Sequence, residues 1–153
     1  MILPGKGVAL AGPEAGYTRV AGSYMTWVPG VSEKLPPRIA SGATLAFASD
    51  WNVAEMEPVV GIYTALTRKG LDGKPDGGWI PQQTIDLETA IRGYTINGAY
   101  ANFAEQNRGS ITPGKYADLI LLSDNLFEIP TDKIKDDKVV WTMVGGKEVW
   151  KAY

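Results

Sequence analysis

Apolar and polar positions alternate in three different rhythms along this chain. The run Ala43 to Ala48 is nearly all apolar, interrupted only by Thr44, and lies between Gly42 and Asp50. A short unbroken apolar run with a glycine before it and a carboxylate after it predicts a strand buried on both faces, the kind found in parallel sheets and barrels. Beyond it, Pro58 is suited to a first helical position, and Val59, Ile62, Tyr63 and Leu66 recur at the i, i+3, i+4, i+7 spacing of one helix face. The helical rhythm resumes after Asp86, a good N-cap, with Leu87, Ala90, Ile91 and Tyr94, and again with Ile96, Ala99, Tyr100 and Phe103 around Gly98. Over 86–105 this predicts two short packed helices or one kinked helix. From Gly109 the texture changes to strands and turns: 118–123, 138–144, a Gly145-Gly146 turn, and 147–151. Two β-rich runs around Gly-Gly predict a two-residue hairpin.

Two stretches lack either rhythm. Residues 1–38 are rich in Gly, Pro and aromatics and read as irregular chain, as though the sequence opened in the middle of something longer. Residues 70–81 hold four glycines and two prolines among polar residues, which predicts a loop or lid. No internal repeat or low-complexity tract is present.

Composition narrows the function classes. The 153 residues suffice for one ordinary domain that can bury a core without disulfides. Fifteen basic and 17 acidic residues nearly cancel and form no long run of one sign, so neither nucleic acid nor an anionic membrane is an expected partner. Small-molecule chemistry or a protein partner is expected. No segment reaches the roughly 18 apolar residues of a membrane span, and Met1 to Val8 lacks an apolar core and a small-residue cleavage site. With no cysteine, the expected compartment is the cytoplasm.

The chemistry-bearing residues each have a plainer alternative. Gly109 to Lys115 has the G-x-x-x-x-G-K spacing of a phosphate loop, but Tyr116 stands where a Ser or Thr hydroxyl is needed, and the segment leads into a strand instead of opening a helix. Thr112-Pro113-Gly114-Lys115 is better accounted for as a type II turn, with Pro at i+1 and Gly at i+2. Asp118 is placed for a backbone hydrogen bond at the start of its strand rather than for catalysis. Glu55 and Glu57 lie near Asp50 and would suit a carboxylate cluster for a metal, yet Glu57 directly precedes Pro58, where a negative charge is favoured by the helix dipole. Trp51 either borders a pocket or packs. Asp50 is either the cap of a turn ahead of Pro58 or a functional carboxylate, since the ends of buried parallel strands are where barrels and α/β sheets place their chemistry.

Four segments carry a resemblance to a known family: 48–53 (Ala-Ser-Asp-Trp-Asn-Val), 57–68 from Glu57-Pro58 to Thr67-Arg68, 90–99 (Ala-Ile-Arg-Gly-Tyr-Thr-Ile-Asn-Gly-Ala), and Gly109-Ser110-Ile111 with Gly114-Lys115-Tyr116-Ala117-Asp118-Leu119, joined by Val144-Gly145-Gly146-Lys147. Over about two thirds of its length the chain resembles the C-terminal portion of the amidohydrolase superfamily, in the family 3 branch that includes N-substituted formamide deformylases. The resemblance implies an α/β fragment: the last βα units of a metal-dependent hydrolase (β/α)₈ barrel, with strand 8 at about 43–48 and helices at about 57–68 and 86–105 within residues 1–108. Residues 109–153 would then be the C-terminal share of a flanking β-sandwich, a composite domain built from both chain ends. It further implies a catalytic role for Asp50, as a metal ligand that shuttles a proton from bound water to the leaving nitrogen, and it implies a divalent metal, Zn or Fe. Trp51 and the 70–81 loop are the candidates here for substrate contact.

The chain departs from that family in one large respect. The family supplies imidazole ligands from earlier strands, and this sequence has no histidine. A whole barrel also needs about 250 residues. Asp50 would therefore bind metal only with ligands absent from this chain, because a catalytic site normally uses three or more protein ligands. The expected function is the C-terminal part of an amidohydrolase acting on a non-peptide carbon–nitrogen bond, inactive in isolation and arising from a truncated reading frame. The alternatives are a split-enzyme subunit that completes a site in trans and a non-catalytic interaction module. Expected partners are the missing barrel portion or a second copy of the chain.

Overall fold

The computed structural model describes residues 20–21, 24–25, 44–49 and 56–152. Within them the chain forms a small α/β arrangement. Strands β1 (Val20–Ala21) and β2 (Tyr24–Met25) pair antiparallel in the stretch predicted to be irregular. Helix α1 (Pro58–Thr67) is followed by a loop and a 3-10 turn (Pro81–Gln83), then by helices α2 (Leu87–Tyr94) and α3 (Ile96–Ala101). Strand β3 (Leu119–Leu122), a 3-10 helix (Thr131–Asp136), and strands β4 (Val139–Val144) and β5 (Lys147–Lys151) complete it. The last three strands form one antiparallel sheet in the order β3-β4-β5.

Local chemistry explains most of these boundaries. Pro58 occupies the first turn of α1, where its missing N–H costs nothing. Arg68 ends that helix in the left-handed conformation at φ 59°, its N–H bonded to the Thr64 carbonyl at 2.7 Å. Asp86 caps α2 by accepting from the Thr89 N–H at 2.7 Å. This bond holds the Asp86 carboxyl below its ordinary pKa. The helical pattern over 86–105 resolves into two helices, with Thr95 at the junction in a non-helical conformation, and it stops at Asn102, ahead of Phe103 at φ 58°. Gly145 and Gly146 both take positive φ (57° and 78°), as a two-residue hairpin of the primed type requires.

Two elements differ from the pattern that predicted them. Of the 43–48 run, residues 44–48 are described: bridge pairing occurs at Thr44 and Ala48, and the described bonds of residues 45–47 between them go to helices. A strand exists only where a neighbouring strand takes its ladder bonds. Helix α1, whose spacing predicts a single apolar face, is buried continuously from Val59 to Ala65, Gly61 and Thr64 included. It is surrounded rather than laid on a surface.

The core forms around α1. Ile62, Tyr63 and Ala65 meet Ala90 of α2, Leu126, and Ile134 of the 3-10 helix, with Phe47, Leu66, Ile91, Tyr94 and Leu122 packed against them. Tyr63 and Ile134 are each 1% exposed. Among the described residues no helix is long and apolar enough to cross a membrane.

Candidate functional site

Asp50, Trp51 and Glu55 lie outside the described residues, so the site is approached from the segment that leads into it. Leu45 and Ala46 are buried, and Phe47 is tilted against Tyr94 with ring centroids 5.4 Å apart. The Phe47 N–H donates to the Gly93 carbonyl at 3.0 Å, and the Asn97 side-chain amide donates to the Leu45 carbonyl at 2.8 Å. Residues 45–47 are thus stitched to both α2 and α3 just ahead of Ser49 and Asp50. Gly93 makes this approach possible: a Cβ there would meet the Phe47 ring at 2.5 Å. Burial pushes the Tyr94 phenol up to about 12, which keeps it neutral beside this segment.

The other candidates resolve individually. Glu57 is exposed at the N-cap of α1 and makes no capping bond through its side chain. Asp118 accepts from the Gly145 N–H at 2.8 Å and lies 4.0 Å from the Arg108 guanidinium. It ties the start of β3 to the β4–β5 turn, a role reinforced by the Gly146 N–H donating to the Ala117 carbonyl at 3.0 Å. Lys115 donates to Ser110 Oγ at 2.7 Å and to the Arg108 carbonyl at 3.3 Å. Its N–H closes a turn onto the Thr112 carbonyl at 3.1 Å, with Gly114 at φ 92°. The segment with phosphate-loop spacing is therefore a turn. Among the described residues no group of three His, Cys, Asp or Glu side chains gathers to hold a metal.

Three buried polar residues escaped the sequence reading. Arg68, 4% exposed, donates through Nε to the Trp79 carbonyl at 2.9 Å and lies over the Trp79 ring at 4.8 Å, while its Nη2 has no partner among the described residues. Burial lowers its pKa. Gln83, 1% exposed, has neither amide atom bonded among the described residues. Asp137 accepts from Ser123 Oγ, from the Asp124 N–H at 3.2 Å and from the Lys138 N–H at 2.8 Å, closing the end of β3 onto the start of β4. Only Arg68 left a trace in sequence, as a charged residue directly after an apolar helical pattern. An open groove of about 660 Å³ lies between Gly98, Ala99 and Asn102 of the α3 region and Asp118, Leu119 and Ile120 of the β3 region.

Comparison with known proteins adds what this geometry leaves open. A model described as the amidohydrolase family matches residues 25–150. The protein LONG AFTER FAR-RED 3 of Arabidopsis thaliana is 39% identical over 108 residues, covering 71% of this chain and 18% of that one. An N-substituted formamide deformylase of Arthrobacter pascens is 30% identical over 106 residues, covering 69% of this chain and 19% of its own length. The chain therefore spans less than a fifth of these curated relatives. In fold it is similar to an amidohydrolase from Thermotoga maritima MSB8, with a TM-score of 0.62 and 21% identity, over 95% of this chain and 32% of that one.

Proposed function

Because this chain belongs to the amidohydrolase family, we propose that it is the C-terminal part of a hydrolase acting on a non-peptide carbon–nitrogen bond, an amide or cyclic amide, and that Asp50 is its contribution to the active site. The observation that carries this reading is the anchoring of residues 45–47 to Gly93 and Asn97, which fixes a buried segment directly ahead of Asp50. In this reading the segment is strand 8 of a barrel and Trp51 lines the substrate pocket. The names of the relatives, a formamide deformylase, an imidazolonepropionase and a deaminase, support the bond class.

The family brings a divalent metal. When bound, such an ion lowers the pKa of a coordinated water toward roughly 7. The residues of this chain do not fit that metal alone: there is no histidine or cysteine among the 153, and the described carboxylates are dispersed. In this reading the remaining ligands come from protein outside this sequence. What this chain itself would supply is a carboxylate able to accept a proton from the attacking water and return it to the leaving nitrogen, provided it lies within about 3.2 Å of the water.

The test is complementation. The chain supplied with Zn or Fe, assayed on N-substituted formamides and cyclic amides, is expected to show no turnover. Activity is expected when it is joined to, or co-expressed with, the preceding portion of a family member, and it should fall by at least about 10²-fold with Asp50→Asn. Turnover by the isolated chain, or a complemented enzyme indifferent to Asp50→Asn, overturns the proposal.

A further inference from the structure

Thr95, at φ −119° and ψ −99°, breaks the helical path between α2 and α3 and leaves two polar groups turned toward one stretch of chain. One is the Gly93 carbonyl, in the last turn of α2, where carbonyls lack an intrahelical partner. The other is the side-chain amide of Asn97, the second residue of α3. Gly93 accepts from the Phe47 N–H at 3.0 Å, and Asn97 donates to the Leu45 carbonyl at 2.8 Å, across 52 positions of sequence. A carbonyl and the N–H two residues further on are the pair that one residue of a parallel neighbouring strand engages. The α2–α3 junction therefore does for the buried Leu45 and Ala46 what a neighbouring strand would do, with the Asn97 amide standing in for a peptide N–H.

We propose that Asn97 is a positioning residue: it sets the register of residues 45–47 and, through them, the place of Asp50, three residues beyond Phe47. The inference rests on the hydrolase reading above and deepens it. Held by the Phe47 N–H alone, the segment could pivot about a single bond. The bond from Asn97 adds a second point, which fixes both its direction and its position along its own axis. A slip of two residues would carry Asp50 about 6.5–7 Å along the chain, well past the reach of about 3.2 Å within which a carboxylate exchanges a proton with water. Misplacement by as little as about 1 Å costs on the order of 10²-fold in rate.

Residue-resolved hydrogen exchange on the chain and kinetics on the complemented enzyme test this together. Asn97→Ala favours the helix but removes the donor, and Asn97→Asp keeps the size with no N–H to donate at neutral pH. Each should lower protection of the Phe47 amide about tenfold, the order expected when a buried carbonyl loses its donor. The Ala90 amide, bonded to the Asp86 carbonyl at 3.0 Å, should keep its protection and so report that α2 is intact. In the complemented enzyme both variants should lower kcat at least about tenfold while KM stays within about twofold. Asn102→Ala, which removes a bond to the Gly98 carbonyl at 2.8 Å within the same short stretch, should change neither readout. Three results overturn the positioning role alone: unaltered Phe47 protection in either Asn97 variant, protection lost equally at Ala90, or full kcat in an enzyme that Asp50→Asn disables. An enzyme indifferent to Asp50→Asn overturns the hydrolase reading, and this role with it.

Discussion

Helix α1 and the β3-β4-β5 sheet treat their apolar residues in opposite ways. In α1 seven consecutive residues are buried, and Tyr63 is enclosed by α2, Leu126 and the 3-10 helix. In the sheet, Ile120, Leu121, Val144, Val149 and Trp150 are all at least 48% exposed. A helix satisfies its own backbone, so wrapping neighbours around it suffices. A sheet depends on partners at its edges and faces, and a three-stranded sheet needs at least one apolar face covered to be stable. Among the described residues the apolar side chains around α1 are enclosed, and several of those on the sheet are not.

The contrast can be broken most severely from the helical side. Tyr63→Ala should cost about 3–5 kcal/mol in urea unfolding, the usual range for deleting a buried aromatic. A loss under 1 kcal/mol would mean that α1 is not the centre of the core. Gly93→Ala should cost about 1–3 kcal/mol despite alanine's better helix propensity, because its Cβ forces the Phe47 ring away. A neutral result would mean that residues 45–47 are not held against α2. Asp86→Ala should cost about 1 kcal/mol at pH 7, the usual worth of an N-cap. Since the folded pKa is depressed, the stabilisation is present above the unfolded value near 3.9 and is lost as pH falls through the lower folded value. Wild type and variant should then converge in acid, which urea titrations at stepped pH would show. On the sheet, Val149→Thr should change stability by no more than about 0.5 kcal/mol, as at other exposed sites. A larger loss would show that β5 is covered in solution.

Legibility in sequence divided along related lines. The Asp86 cap, the Pro113-Gly114 turn and the Gly-Gly hairpin were readable because each is settled within a few residues or by a rigid backbone preference, whereas Asp118 does bond backbone but to Gly145, a partner distant in sequence. The all-round burial of α1 was not, because Gly61 and Thr64 carry no apolar signal and are enclosed by distant parts of the chain. The same holds for residues 44–48, where continuous strand pairing depends on neighbours rather than on the run's own composition. Gln83 and Asp137 sit in polar stretches that promise exposure, and only tertiary packing hides them. Asp50 owed its prominence to family resemblance more than to periodicity, which left a turn cap as an equal alternative.

The Arg68–Trp79 pairing also bears on how this protein can be altered. The Trp79 N–H donates to the Arg68 carbonyl at 2.8 Å and Arg68 Nε returns a bond to the Trp79 carbonyl, so the loop between them leaves and re-enters the fold at one fixed point. Within it, the Gly70 N–H bonds to the Lys74 carbonyl, and Gly73 and Gly77 stand in open space. Because closing a loop costs only about 0.6 kcal/mol more for each doubling of its length, a reporter peptide or a small folded tag can be spliced in at Gly73 with its two ends already held together.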